Sequence, residues 1–135
     1  MSYETRINKV KNILSENKLD GLYITNITNV RYLTGFTGSA GSVLIINNEQ
    51  HFFTDGRYIE QSKNQVKHCI IHIVGSAHYK EIEKRNLIKE NLHVGFESDY
   101  VSVNLFSALN QSMSNVNWEK TSGIIEKIAA IKDLP

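Results

Sequence analysis

The chain has 135 residues, of which 41% are hydrophobic and 21% charged, the balance of one soluble globular domain able to bury about two-thirds of its unfolded surface. Fifteen Lys and Arg against fourteen Asp and Glu leave a net charge of +1, so no basic face is forced, and neither nucleic acid nor an anionic membrane is expected as a partner. A single cysteine, Cys69, opening residues of mixed charge and no bilayer-length apolar run lead us to expect a reducing, cytoplasmic setting.

Ile7, Val10, Ile13 and Leu14 recur at helical spacing, which predicts an amphipathic helix over residues 5–18. The glycine of "LDG" ends it, and "GLYIT" reads as a short strand. Residues 26–33 support one or two helical turns. "SVLII", a four-residue polar loop "NNEQ" and "HFFT" then form a β-hairpin, making segments 43–47 and 50–54 antiparallel neighbours. A second helix covers 57–66, and "HCIIHIV" is the next strand. A third, highly charged helix over 78–90 places Glu81 and Arg85 at a supportive i,i+4 spacing. "HVGFE" is a strand, Ser102 caps a helix that buries Leu105, Phe106, Leu109 and Met113, and "VNWEK" closes the sheet. The last segment, 122–135, is helical with Ile124, Ile128 and Ile131 on one side. Either the domain's own sheet covers that stripe or a following domain does. The alternation implies an α/β fold: a mixed sheet of five or six strands, flanked by helices on both faces and containing one hairpin.

Gly35, Gly38 and Gly41 punctuate "GFTGSAG" at every third residue. The spacing is neither the dinucleotide nor the P-loop pattern, and a strand follows it. Phosphate cradles instead need a helix N-terminus, so no nucleotide is expected. Thr37 stands where a nucleophile elbow needs its first glycine, and Ser39 is not read as a catalytic serine. His68 and His72 share one strand face and are expected to face solvent, while His51, His78 and His93 are scattered. The carboxylates Asp55, Glu97 and Asp99 show no acid–base pairing, and Asp55 reads as a cap for the helix after "DGRY". The glycines should shape a close-packed surface loop with at least one φ above zero, Phe36 facing outward or folding beneath it. Residue chemistry alone thus yields no catalytic set and no metal set.

"TNVRYLTGFTGSAGSVLI", followed by "FTDGRYIEQSKNQV", resembles the N-terminal domain of the Xaa-Pro peptidases, the group of aminopeptidase P, prolidase and creatinase. "LDGLYIT", "VGFE" and "IEKIAAIK" extend the resemblance along the whole chain. One departure is Ala129, which stands where similar sequences carry an arginine. The resemblance implies an N-terminal domain over 1–121 and, over 122–135, the start of a linker to a pita-bread catalytic domain beginning after Pro135. In that absent domain two Asp, one His and two Glu would hold a pair of divalent metals, usually manganese; no cofactor is expected in this chain. It also implies removal of the residue before a proline, whose imide bond lacks an N–H. The chain itself would serve homodimer formation and restrict access of proline-containing peptides to the active site. Phe36, Thr37 and Ser39 would wall the entrance, supported by the three glycines, Asp55, Arg57 and Tyr58. Two other readings are a stand-alone α/β dimerisation or binding module and the N-terminal domain of a creatinase-like amidinohydrolase.

Overall fold

The computed structural model describes residues 1–131; the end of the expected tail helix, 132–135, lies outside the described residues. In chain order the elements are α1 (Tyr3–Glu16), β1 (Gly21–Ile24), α2 (Ile27–Thr34), β2 (Ser42–Ile46) and β3 (Glu49–Thr54). A 3-10 turn (Gly56–Tyr58) leads into α3 (Ile59–Gln65), followed by β4 (Ile70–Ile73), α4 (His78–Lys84) and β5 (His93–Glu97). Last come α5 (Val103–Ser112), β6 (Asn117–Thr121) and α6 (Ile124–Ala130).

The strands form one mixed six-stranded sheet in the order β4-β3-β2-β1-β5-β6. β2 is antiparallel to both its neighbours, while the other three pairings are parallel. Five strands therefore point one way and β2 alone runs back. The loops that follow the five strands and the loop that enters β2 consequently meet at one end of the sheet.

Period-two alternation sorts the side chains between two cores. Leu22, Ile24, Val43, Ile45 and Phe52 pack beneath α1, α2 and α6. Tyr23, Leu44, Ile46, Phe53 and Val94 pack beneath α4 and α5. Because both faces are covered, β1 and β2 are buried at every position and read as continuous apolar runs.

Several boundaries differ from the sequence expectation, each for a local reason. The hairpin loop has two residues, not four: Asn47 and Asn48 take φ of 52° and 62°, the left-handed pair of a type I′ turn. Glu49 and Gln50 are thereby freed to pair with Ile46 and Ile45. The charged helix stops at Lys84 instead of residue 90 because Asn86 turns left-handed at φ 50°. His68 is likewise left-handed at φ 63°, so β4 begins only at Ile70 and His68 and His72 do not share a strand. On α6 the buried residues are Ile125 and Ile128, with Ile124 partly covered, and Ile131 lies past the helix end, 61% exposed. The expected stripe of Ile124, Ile128 and Ile131 is therefore out of phase. The cap of α5 is as expected, with Ser102 Oγ accepting from Leu105 N–H at 3.0 Å. Of its four apolar residues only Leu109 is fully buried.

Candidate functional site

The two glycine-containing motifs meet at the end of the sheet where the loops gather. Gly35 caps α2 in the left-handed region at φ 83°, and its N–H donates to Arg31 O at 2.8 Å. Such a conformation suits glycine, which lacks the Cβ that clashes there. Phe36 then dives beneath the loop and is fully buried, edge-on to Phe52 at 4.9 Å and to Tyr58 at 5.3 Å. It supports the loop from below and presents no face to solvent.

The exposed side of the loop is held by hydrogen bonds from the segment after β3. Thr37 N–H donates to Gln65 Oε1 at 2.9 Å, and its Oγ1 accepts from Gln61 and Gln65 at 3.0 and 2.9 Å. Ser39 N–H donates to the Tyr58 hydroxyl at 3.2 Å, and Ser39 Oγ lies 2.6 Å from that oxygen. The Ser39 bonds stabilise the phenolate, which draws the exposed Tyr58 hydroxyl below its usual range. Among the described residues a phenol is thus the only hydrogen-bonding partner of Ser39, and no histidine or carboxylate reaches it.

Asp55 caps the 3-10 turn by accepting from Arg57 N–H at 3.0 Å, and the Arg57 guanidinium closes a fork on the same carboxylate at 2.9 and 2.8 Å. Those bonds hold the Asp55 carboxyl at about 2. Arg57 also lies over the Tyr58 ring, 5.0 Å from its centroid. Glu97 and Asp99 are not paired with each other. Glu97 Oε1 accepts from Thr25 and Asn26 N–H at 2.8 and 2.9 Å, and Oε2 from Asn29 Nδ2 at 2.6 Å, which ties the end of β5 to the start of α2. Burial raises its carboxyl above the usual range, opposed by these same bonds. Asp99 accepts from the Ser122 hydroxyl.

Beside the loop, a cleft of ≈ 320 Å³ runs from Ser39–Ser42 to His78 and Tyr100. On its floor Ser42 Oγ is 2.7 Å from His78 Nδ1 and 3.5 Å from the Tyr23 hydroxyl. Two of the three histidines that look scattered in the sequence, His51 and His78, are drawn together here, whereas His93 Nδ1 instead lies 2.6 Å from Glu119 Oε2. His51, His72, Phe53 and His78 form a ladder of stacked rings, each 4.9–6.3 Å from the next. His72 is buried rather than solvent-facing, because its Nε2 meets His51 Nδ1 at 2.9 Å across the β3–β4 pair. The alternation of His51 and Phe53 on one face of β3 was the available signal. Nothing local in the sequence points to Thr25, Ser42, His78 or Tyr100 as a group, since each follows or begins a different element. Among the described residues no three His, Cys, Asp or Glu side chains group so as to hold a metal ion, so no step through a metal is assigned to this chain.

The family model of the creatinase/prolidase N-terminal domain matches residues 6–131. The chain belongs to that family. This creatinase/prolidase N-terminal domain is 32% identical over 127 residues to an uncharacterized peptidase, YqhT, of Bacillus subtilis (strain 168), covering 94% of this chain and 36% of the relative. It therefore spans about a third of the length of that curated relative. Among solved structures, a Xaa-Pro dipeptidase from Bacillus anthracis superposes with a TM-score of 0.87 at 31% identity, over 97% of this chain and 37% of that one. The N-terminal domain of the cytoplasmic peptidase PepQ from Mycobacterium tuberculosis H37Rv superposes with a TM-score of 0.80 at 29% identity, covering 92% of this chain and 98% of that one. The mixed sheet with helices on both faces is the fold these relatives share.

Proposed function

We propose that this chain works as the non-catalytic N-terminal domain of a cytoplasmic, metal-dependent Xaa-Pro peptidase, associating with a catalytic domain and with a second subunit and narrowing the route to the active site. In this reading Thr37 and Ser39 form the wall of the entrance and Phe36 is the buried footing that fixes its position. The two divalent metals, manganese in the simplest case, belong to the catalytic domain, where they would generate the attacking hydroxide and polarise the carbonyl.

The observation that carries the reading is the clamp between "GFTGSAG" and "FTDGRY". The backbone N–H and the hydroxyl of both Thr37 and Ser39 are engaged by Gln61, Gln65 or Tyr58. A loop held so firmly, whose serine meets a phenol and no general base among the described residues, is built to present a shape. Its test is kinetic. In the full-length peptidase, Ser39→Phe should raise KM for longer peptides by about tenfold while leaving the shortest X-Pro substrate unchanged, because only crowding at the entrance differs. Equal loss of kcat for every substrate, with metal content intact, would assign Ser39 to the chemical step instead.

A further inference from the structure

Ligands of open α/β sheets settle beyond the carboxyl ends of the strands, where successive crossovers leave to opposite faces. In this sheet β1 and β5 are parallel neighbours. β1 continues into α2, which packs on one face, and β5 into α5, which packs on the other. The cleft beside the glycine-rich loop opens at this switch point, with Tyr23 and Thr25 from the end of β1 and Tyr100 and Leu105 from the start of the β5–α5 passage.

The polar groups of the cleft form a chain from Tyr23 through Ser42 to His78. Burial pushes the Tyr23 phenol up to about 12, so it keeps its proton, and among the described residues Ser42 Oγ is the only partner within its reach. If Tyr23 is the donor to Ser42 Oγ, the serine's own proton is free to donate to His78 Nδ1. Burial holds the imidazole neutral, below its ordinary range, against the opposing pull of Asp55. A neutral ring that accepts at Nδ1 carries its proton on Nε2, and this nitrogen has no partner among the described residues. Thr25 Oγ1 is a second unused group, buried in the lining without a hydrogen bond among the described residues. Orphaned buried hydroxyls are uncommon and point to a missing partner. Around these donors the walls are Ile27, Tyr79, Leu105 and the half-exposed Tyr100, and none of the lining residues is Asp, Glu, Lys or Arg.

From this arrangement we propose that the cleft is a binding site for an uncharged peptide segment, whose backbone carbonyls accept from His78 Nε2–H and from the Thr25 hydroxyl while its side chains lie against Tyr79, Tyr100 and Leu105. Donors without a fixed charge suit a neutral acceptor, and aromatic walls suit an apolar body. The ligand's chemistry follows from the cleft; that it is a peptide rests on the entrance reading above.

The test uses the 135-residue chain, titrated with acetyl-Ala-Pro-Ala-amide and, separately, with the same peptide ending in a free carboxylate. Backbone and imidazole nitrogen spectra report the outcome. In the free chain the His78 imidazole should show the Nε2-protonated tautomer. The neutral peptide should shift His78, Thr25, Ser42 and Tyr100 saturably, and the acid should bind no more tightly. His78→Phe and, independently, Thr25→Val should each weaken binding by about tenfold, the value of one hydrogen bond, and Thr25→Ser should restore it. Shifts confined to Thr37–Ser39, tighter binding of the carboxylate, unchanged affinity in both variants, or no shift up to the peptide's solubility limit would overturn the proposal. The entrance reading stands or falls on KM in the full-length enzyme, so each can fail without the other.

Discussion

A side chain at Gly38 has nowhere to go: a Cβ there would sit 2.3 Å from Phe36 Cζ and 2.8 Å from Tyr58 Cε1. Phe36 is itself wedged between Phe52 and Tyr58, so the ring cannot yield cheaply. Gly38→Ala should destabilise the domain by about 1–3 kcal/mol, the usual cost of overpacking. Gly56→Ala is the control: a Cβ there meets nothing within 4 Å, and its urea midpoint should stay at the wild-type value. The buried His51–His72 pair makes a second prediction at this scale. Burial lowers both imidazoles below the ordinary value of 6.5; Glu49 opposes this at His51 and Glu81 at His72, whereas Arg85 adds to it at both. The unfolded chain therefore binds more protons than the folded one as the pH drops below that value. Stability from the pair is complete above pH 6.5 and is lost as the pH falls through the lowered folded values. Urea unfolding from pH 7.5 down to 5 should show this decline, and His51→Gln/His72→Gln should flatten it. An unchanged slope in the double variant would assign the decline to other groups.

Period and punctuation make most elements readable in the sequence. The apolar spacing of Ile7, Val10 and Leu14 marked α1, the run from Ser42 to Ile46 marked β2, and Ser102 marked the start of α5. What could not be read were positions where a non-glycine residue turns left-handed, as at Asn48, His68 and Asn86, because that choice is made by the surrounding structure. The two motifs of the candidate site were legible as strings, whereas the cleft was not. Its members come from several strand ends and are joined only by the reversal of β2. α6 shows the same limit, since its stripe could be phased only once α1 and α2 were in place. Ile125 and Ile128 are 1% and 2% exposed against those helices. Ending the chain after Ser122 should therefore cost about 3–6 kcal/mol, from two side chains at about 1.5–3 kcal/mol each. That is a large fraction of the stability of a domain this size. A truncated chain with the parent's urea midpoint would show instead that α6 is only a tether.

For the molecule as a whole, the question is whether any chemistry resides in this chain. The arrangement closest to a nucleophile with a base is Ser42 with His78 at 2.7 Å, at the end of the sheet where active sites of α/β folds gather. Two features argue against turnover there. Ser42 is only 2% exposed, at the start of β2 rather than on the exposed loop, whereas a nucleophile has to be open to its substrate. No carboxylate orients the ring from its other nitrogen, as the Ser-His-Asp arrangement requires, because Nε2 lacks any partner among the described residues. Two-metal hydrolysis needs several carboxylates and histidines around paired ions, and the described residues bring no three such groups together. We therefore expect the 135-residue chain, incubated with manganese and an X-Pro dipeptide, to release no proline above a control without protein. Running the same assay on His78→Phe separates the ways this could fail. Metal-dependent release that survives the substitution would place a metal centre in this chain, whereas metal-independent release that the substitution abolishes would make Ser42 and His78 a working pair. Either result would end the non-catalytic reading of the domain.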